Sequence, residues 1–303
     1  MQRHLVGISQ IGAVRCHRLI ALARAIRQAS ALPRLDKSVA LAFFEPSTRT
    51  RLSFEAAATR LGCRVAAFSS AGSSIEKGET VADTIRTLEA IGFDAIVLRH
   101  RASDAAEHAA SIAKHATIVN AGDGCHEHPT QALLDALTLL DEFGSLEGKR
   151  IAIIGDIRHS RVYRSDAALL GMLGAIVGVC APPLLMPSHL PDGIVQLPDA
   201  ASAIEWADAA IVLRLQRERM DSGLVPSLSD YRRRYAVRRE YLVGSRVRLL
   251  HPGPVNPDIE LDAVLVESEH SLIQRQVSNG VFIRMAVMID IFATELVEHF
   301  LSH

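Results

Sequence analysis

Short apolar runs typical of β-strands alternate with amphipathic, helix-like runs along most of this 303-residue chain. The apolar runs fall at residues 39–44, 95–98, 151–154, 176–180, 209–213 and 248–250. Apolar side chains at helical spacing occur at residues 50–61, 129–143 and 161–173. Because neighbouring parallel strands need a crossover connection, usually a helix, this alternation predicts an α/β fold with mainly parallel sheets flanked by helices.

Chain length and one polar segment predict two domains. A domain usually has about 100 to 200 residues. The segment FGSLEGK, at residues 143–149, separates a predicted helix from a new predicted strand. We therefore expect one domain over residues 1–143 and another over residues 144–279. A long helix is predicted over residues 280–303, and we expect it to pack back onto the first domain.

The overall composition argues against several classes of function. Lys and Arg total 33 against 34 for Asp and Glu, so no global positive field would attract nucleic acid or an anionic membrane. The four cysteines form no C-x-x-C pair, which argues against a disulfide framework and a structural zinc site. The first residues, MQRHLVGISQIG, lack the apolar core of a secretory signal. We expect a cytoplasmic protein.

One uncharged stretch, at residues 167–187, is long enough to cross a bilayer. Three glycines interrupt it, and a Pro182-Pro183 pair stands near its end. These breakers favour a helix, a glycine turn and a short strand over a membrane span.

The segment VALAFFEPSTRTRLSFEAA runs from a predicted strand through a proline turn into a predicted helix. Its turn contains Ser47, Thr48, Arg49 and Thr50. Backbone N–H groups at a helix start, hydroxyls and a guanidinium together suit a phosphate, without a glycine-rich loop. The alternative is an ordinary helix N-cap followed by solvated arginines.

Two further segments carry polar side chains next to predicted elements. Gln131 lies three residues after His128, on the same side of a helix that Pro129 would begin, so both side chains can reach one small polar ligand. The alternative for His128 is a capping or core histidine. Arg99 follows the predicted strand 95–98, where the alternative is a solvated strand-end arginine.

The segment GDIRHSRV, at residues 155–162, follows a predicted strand as a dinucleotide-binding turn would. It lacks the G-x-G-x-x-G pattern that lets the backbone approach a pyrophosphate. A nucleotide cofactor is therefore disfavoured.

The segment FFEPSTRTRLSFE closely resembles the phosphate-binding motif of the aspartate and ornithine carbamoyltransferase family. Further motifs follow in family order: SSIEKGETVADT, LRHR, HPTQALLD, GDIRHSRVYRS, LRLQRERM, HPGPVN and QVSNGVFIRMAV. The resemblance covers most of the chain. It implies transfer of a carbamoyl group from carbamoyl phosphate, with no metal and no organic cofactor.

The resemblance also implies roles for residues of the first domain. Thr50, Arg99 and His128 are expected to be catalytic and to stabilise the reacting carbonyl group. His128 would touch the carbonyl oxygen of carbamoyl phosphate and Gln131 its amino end. The residues expected to bind carbamoyl phosphate are Ser47, Thr48, Arg49, Thr50, Ser73, Lys77, Arg99, His128 and Gln131.

For the second substrate, Arg161 and Arg214 match the arginines that hold the carboxylates of aspartate, with Gln216 alongside. Two guanidiniums suit a dianionic acceptor, because each can pair with a carboxylate in a bidentate manner. Lys77 is expected to contribute to this site as well.

The acceptor is expected to be L-aspartate in de novo pyrimidine biosynthesis. The S-M-G loop and the H-C-L-P segment of the ornithine branch are absent, and HPGP stands at residues 251–254. Gly253 and Pro254 would form the loop beside the product, although Gly253 stands where some aspartate enzymes have leucine. The alternatives are ornithine or another amino acid as acceptor, or a catalytically silent scaffold.

Finally, the resemblance implies a homotrimer. The family residues that match Ser73 and Lys77 reach into the active site of the neighbouring subunit. Taken alone, Lys77 would be an ordinary solvated lysine. A regulatory chain or a dihydroorotase is the expected type of protein partner.

Overall fold

The computed structural model describes residues 4–69, 80–215 and 227–302. It divides into two compact units: Met1–Leu137 with Val277–His303, and Thr138–Gln276. The chain passes between the units within two helices, Pro129–Phe143 and Ile273–Phe292. The sequence-based boundary after residue 143, and the assignment of a ligand to each part, stay predictions.

Nine strands and ten α-helices make up most of the regular structure of the described residues. The strands are β1 (Ser38–Phe43), β2 (Arg64–Ser69), β3 (Ala95–His100), β4 (Thr117–Asp123), β5 (Arg150–Ile154), β6 (Ile176–Cys180), β7 (Val195–Gln196), β8 (Ala209–Val212) and β9 (Arg248–Leu250). The helices are α1 (Ile8–Gln28), α2 (Thr48–Arg60), α3 (Val81–Ile91), α4 (Ala105–Ile112), α5 (Pro129–Phe143), α6 (Arg161–Met172), α7 (Ala200–Trp206), α8 (Leu228–Tyr235), α9 (Ile273–Phe292) and α10 (Thr294–Leu301).

The first unit contains a parallel sheet of order β2-β1-β3-β4. Ala40 of β1 pairs with Ile96 of β3, and both belong to a buried apolar core with Ile85 of α3. β1 and β3 are neighbours although β2 lies between them in sequence. Ligands of such sheets bind outside the carboxyl ends of the strands where the order reverses. In this sheet that point lies between β1 and β3.

The second unit contains a parallel sheet of order β7-β6-β5-β8-β9. β5 and β8 pair through Ile151 with Ala209 and through Ile153 with Ile211, and all four residues are fully buried. The strand order reverses between β5 and β8. The carboxyl ends of these two strands are therefore the expected ligand-binding edge of the second sheet.

Both the predicted α/β class and the mainly parallel sheets are confirmed, and each of the six predicted strands corresponds to an observed one. The single helix predicted over residues 280–303 is wrong in its extent. α9 ends at Phe292 and α10 begins at Thr294, because Ala293 has a non-helical conformation with φ −146° and ψ 57°.

The uncharged stretch at residues 167–187 forms the end of α6 and then β6. Within the described parts of the chain, no helix has both the length and the apolar character needed to span a membrane.

Candidate active site

The turn from β1 into α2 presents polar groups at the carboxyl edge of the first sheet. Ser47 immediately precedes α2 in an extended conformation, and its side chain forms no capping hydrogen bond. The first turn of α2 contains no acidic residue; Thr48 and Arg49 are exposed, and Thr50 is buried. Backbone N–H groups of a first helical turn have no partner within the helix, and the helix dipole favours an anion there. This turn suits a phosphate.

Arg99 lies at the end of β3 and is fixed by contacts with both neighbouring strands. Its Nε lies 2.7 Å from Oε1 of Glu45, just beyond β1, and its Nη1 donates a hydrogen bond of 3.2 Å to the carbonyl oxygen of Ala121 in β4. The Arg99 side chain is 13% exposed and that of Glu45 is 23% exposed. A guanidinium is thereby held at the point where the strand order reverses.

His128 immediately precedes α5, at the end of a hydrogen-bonded turn that follows β4. Its backbone carbonyl accepts hydrogen bonds from the N–H groups of Gln131 and Ala132, at 2.9 and 3.3 Å. The turn is held by buried Asp123, whose Oδ1 accepts from Nδ2 of Asn120 at 2.9 Å and from the N–H of Glu127 at 3.1 Å. The His128 side chain is buried at the same sheet edge.

Gln131 lies on the first turn of α5 and is buried. Its Nε2 donates to Oδ1 and Oδ2 of Asp135 at 3.0 and 3.1 Å. The structure therefore brings four predicted segments to one edge of the first sheet, namely the turn before α2, Arg99, His128 and Gln131. Their contacts with a ligand stay predictions. Chemically, hydroxyls, guanidiniums and N–H groups suit a compound that carries both a phosphate and a carbonyl oxygen.

A buried arginine of α9 contacts α2. Nη1 of Arg284, in α9, donates to Oγ of Ser53 at 3.0 Å and to the carbonyl oxygen of Gly280 at 2.9 Å. Its guanidinium carbon lies 4.8 Å from the ring centroid of Phe54. Burial lowers the pKa of Arg284 to about 9, while the carboxylate of Asp135 raises this pKa and the charge of Arg99 lowers it further.

In the second unit, Arg161 and Arg214 both follow strands at the edge where the strand order reverses. Arg161 is the first residue of α6, and Oγ of Ser160 caps this helix by accepting from the N–H of Tyr163 at 3.1 Å. Arg214 lies two residues beyond β8 and is exposed. The structure thus brings two predicted guanidiniums to one sheet edge.

Three predicted site residues, Ser73, Lys77 and Gln216, lie outside the described residues. Gly253 and Pro254 lie within them. Gly253 has φ 70°, in the left-handed region that glycine adopts without the cost that leucine would incur.

The loop containing Gly253 is tied to the segment that follows Arg214. The N–H of Gly253 donates to Nδ1 of His251 at 2.8 Å, so Nε2 carries the imidazole hydrogen and faces Oε1 of Glu260 at 3.2 Å. Oε1 of Glu260 also accepts from the N–H of Asn256. Nδ2 of Asn256 donates to the carbonyl oxygen of Leu215 at 2.9 Å.

Four residues whose contacts hold these segments in place were not predicted from the sequence: Glu45, Asp135, Glu260 and Arg284. Asp135 was open to prediction, because it lies four residues after Gln131 on a predicted helix. The other three make contacts that do not follow from the spacing of residues along one helix or strand, so the sequence pattern does not reveal them. No cluster of three or more His, Cys, Asp or Glu side chains suited to a metal ion occurs at residues 4–69, 80–215 or 227–302.

Comparison with known proteins bears out the resemblance. Residues 3–141 match the sequence model described as "Aspartate/ornithine carbamoyltransferase, carbamoyl-P binding domain". Residues 147–291 match the "Asp/Orn binding domain" of the same family. The chain belongs to the aspartate/ornithine carbamoyltransferase family.

Individual relatives match most of the chain. The aspartate carbamoyltransferase catalytic subunit of Thermus thermophilus is 48% identical over 294 residues, covering 94% of this chain and 96% of that protein. The subunit of the same name from Thermus aquaticus is 53% identical over 83% of each chain. A crystal structure of aspartate transcarbamoylase from Trypanosoma cruzi, in complex with N-(phosphonacetyl)-L-aspartic acid, has a TM-score of 0.86, 34% identity and 96% coverage of both chains.

Proposed function

We propose that this protein transfers the carbamoyl group of carbamoyl phosphate to the amino group of L-aspartate, giving N-carbamoyl-L-aspartate and phosphate. The observation that carries the proposal is the meeting of the turn before α2, Arg99 and His128 at one sheet edge. These residues lie in the part of the chain that matches the carbamoyl-P binding domain. The curated relatives are aspartate carbamoyltransferase catalytic subunits.

The phosphate group would bind at the start of α2. Ser47, Thr48 and Thr50 provide hydroxyls, and Arg49 provides an exposed guanidinium in the first helical turn. The helix start adds backbone N–H donors and a partial positive charge. Together these groups would hold the phosphate in the substrate and stabilise its charge as it leaves.

The carbonyl oxygen would be bound by Thr50, Arg99 and His128. When an amine attacks the carbonyl carbon, negative charge develops on that oxygen. Donors that are already in place lower the barrier, because they do not have to reorganise during the reaction. The contacts of Arg99 with Glu45 and Ala121, and the hydrogen-bonded turn before His128, provide this preorganisation.

The chemical step exchanges one bond for another at the carbonyl carbon. The neutral amine of aspartate forms the new C–N bond, the bond from carbon to the phosphate oxygen breaks, and the departing phosphate takes the proton released by the amine. No separate protein base is needed in this scheme. Much of the rate enhancement would then come from holding the two reactants in line.

Aspartate would be recognised by Arg161, Arg214 and Gln216, since two guanidiniums match two carboxylates. Phosphate release from carbamoyl phosphate, measured with aspartate, with ornithine and with no acceptor, tests the proposal. Aspartate-dependent release is expected. Release that depends on ornithine would reassign the acceptor, and no acceptor-dependent release would favour the scaffold alternative.

The proposed assembly is a homotrimer in which Ser73 and Lys77 complete the active site of the neighbouring subunit. Its support is the family motif SSIEKGETVADT, and the expected native mass is three times 32.9 kDa. The proposed setting is de novo pyrimidine biosynthesis in the cytoplasm, with a regulatory chain or a dihydroorotase as the protein partner. Pull-down from the source cells followed by native mass measurement tests both the trimer and the partner.

A further inference from the structure

A buried chain of polar side chains lies next to Gln131. Nε2 of Gln131 donates to both carboxylate oxygens of Asp135, at 3.0 and 3.1 Å. Asp135 is fully buried and lies one helical turn further along α5, on the same face. The guanidinium of Arg284, also buried, interacts electrostatically with Asp135.

These contacts determine which way the Gln131 amide points. A side-chain amide carries an N–H2 donor on one arm and an acceptor oxygen on the other. Because the donor arm faces the carboxylate, the oxygen arm is turned away from it. The reverse orientation would set the amide oxygen against two carboxylate oxygens with no hydrogen between them, which is unfavourable in a buried place.

Arg284, whose charge interacts with that of Asp135, is itself held in position. It donates to Ser53 of α2 and to the Gly280 carbonyl of its own helix, and it stacks against Phe54. A Cβ atom at Gly280 would lie 2.5 Å from Nη1 of Arg284, so the guanidinium occupies the space that a side chain would need. The buried cation therefore connects Asp135 with the helix whose first turn would bind the phosphate.

We infer that Asp135 is a positioning residue that sets substrate specificity, because it keeps the oxygen of Gln131 directed at the ligand. The site then selects a phosphorylated carbonyl compound with an NH2 group over the analogue with a methyl group. This inference rests on the proposed function, in which Gln131 contacts the amino end of carbamoyl phosphate. A methyl group would leave the fixed oxygen unpaired, which is how a polar site rejects an apolar analogue.

A stable pair of ligands isolates this effect. Phosphonoacetamide and acetonylphosphonate share a phosphonate and a carbonyl group, and they differ only in NH2 against CH3. Calorimetry on the wild-type protein should give a Kd at least about 10-fold lower for the amide, which corresponds to one well-made hydrogen bond. In Asp135→Asn the new amide can pair with either arm of Gln131. The two Kd values should then come within about threefold, chiefly through weaker binding of phosphonoacetamide.

Two variants separate positioning from general loosening of the core. Ser53→Ala removes a contact of Arg284 without touching the pair of Gln131 and Asp135, and it should keep the preference for the amide. Gln131→Met keeps the length of the side chain but removes its oxygen, and it should lose the preference even if Asp135→Asn does not fold. The inference would be overturned if either Asp135→Asn or Gln131→Met kept the full preference for the amide. It would also be overturned if Ser53→Ala lost that preference to the same extent as Asp135→Asn.

The wild-type protein distinguishes this inference from the proposed function. If it bound neither compound and released no phosphate in response to aspartate, the proposed function would be refuted. If it bound both compounds equally and still released phosphate in response to aspartate, only the role of Asp135 would be refuted.

Discussion

The buried carboxylate of Glu260 accepts a hydrogen bond of 2.6 Å from the backbone N–H of Asn256. Its second oxygen accepts from the side-chain amide of the same residue at 3.1 Å. Asn256 in turn donates to the carbonyl oxygen of Leu215, the residue that follows Arg214. A single acid thus connects the loop containing Gly253 with the segment proposed to bind aspartate.

Glu260→Gln is expected to raise the KM for aspartate and to lower stability. The new amide places an N–H2 group where one oxygen must accept, so a buried polar contact is lost at a cost of about 1 to 3 kcal/mol. Affinity for carbamoyl phosphate should not change. The KM values and the free energy of unfolding in urea check this. The exposed Glu267 gives a matched control, Glu267→Gln, that should leave all three quantities unchanged. Equal effects on the two substrates would contradict the expectation.

Arg49→Ala should lower kcat/KM for carbamoyl phosphate by roughly 100- to 1000-fold, the usual effect of removing one donor to developing charge. Folding should be little affected, because the Arg49 side chain is exposed. Arg60→Ala is the control: it removes an exposed arginine from the last turn of the same helix. Initial rates and thermal melting measure the two effects. Similar rates for Arg49→Ala and Arg60→Ala would exclude a phosphate site at the start of α2.

Arg214→Ala should weaken aspartate binding strongly and leave carbamoyl phosphate binding nearly intact. Arg214 follows β8, whereas exposed Arg246 precedes β9 and so lies at the opposite, amino edge of the same parallel sheet. Arg246→Ala therefore removes an equal charge from the same unit, but from the sheet edge opposite the proposed aspartate site. Calorimetric titration of each ligand separates the effects. If carbamoyl phosphate affinity fell as far as aspartate affinity, the proposed assignment of Arg214 would be wrong.

The sequence predicts β1, β3, β5 and β8, which precede most of the predicted site residues, because buried parallel strands are continuous apolar runs. β2 was missed because it is short of large apolar residues, and its described side chains are mostly exposed or half-buried. β4 was missed because Asn120 and Asp123 interrupt its apolar pattern, although both are buried and hydrogen-bonded. The break at Ala293 has no signal, since apolar residues continue on both sides of it.

Local motifs predict which segments contain the functional side chains of the site. They do not predict the contacts that hold those segments in position. The contact of Arg99 with Glu45 joins the ends of two different strands, and that of Glu260 with Asn256 closes a loop. Neither follows from the spacing of residues along one helix or strand. Asp135 differs, because its spacing from Gln131 is helical and the helix itself was predicted correctly.

Stability of the second unit should fall as the pH rises above about 9. Burial raises the pKa of the Cys180 thiol from 9.0 to about 12. Between these values the folded protein keeps a proton that the unfolded chain has lost, so the free energy of unfolding falls by about 1.4 kcal/mol per pH unit. Below pH 9 the contribution is fully present.

Trp206, the only tryptophan of the chain, lies in the same unit and reports its unfolding in urea. Cys180→Ala should therefore show a shallower loss of stability between pH 9 and pH 10.5 than the wild type, by about 1 kcal/mol per pH unit. Between pH 6 and pH 8 the free energy of unfolding should change with pH at the same rate in the two proteins. Parallel curves above pH 9 would show that this thiol does not control the alkaline loss.

The proposed sharing of sites predicts that two inactive variants can rescue each other. Arg49→Ala removes a phosphate ligand from one chain, and Lys77→Ala removes the residue that the neighbouring chain is proposed to supply. A mixed trimer would contain at least one site with Arg49 intact from one chain and Lys77 intact from the other, so mixing should restore part of the activity. Native mass spectrometry must show that subunits exchange.

The control is a mixture of Arg49→Ala with Thr50→Ala, in which both changes affect the same side of the shared site. Both chains of this mixture supply an intact Lys77, but every site keeps one of the two lesions in its own α2 turn. This mixture should therefore stay inactive. Mixed trimers of Arg49→Ala and Lys77→Ala that form but remain inactive would refute the shared site.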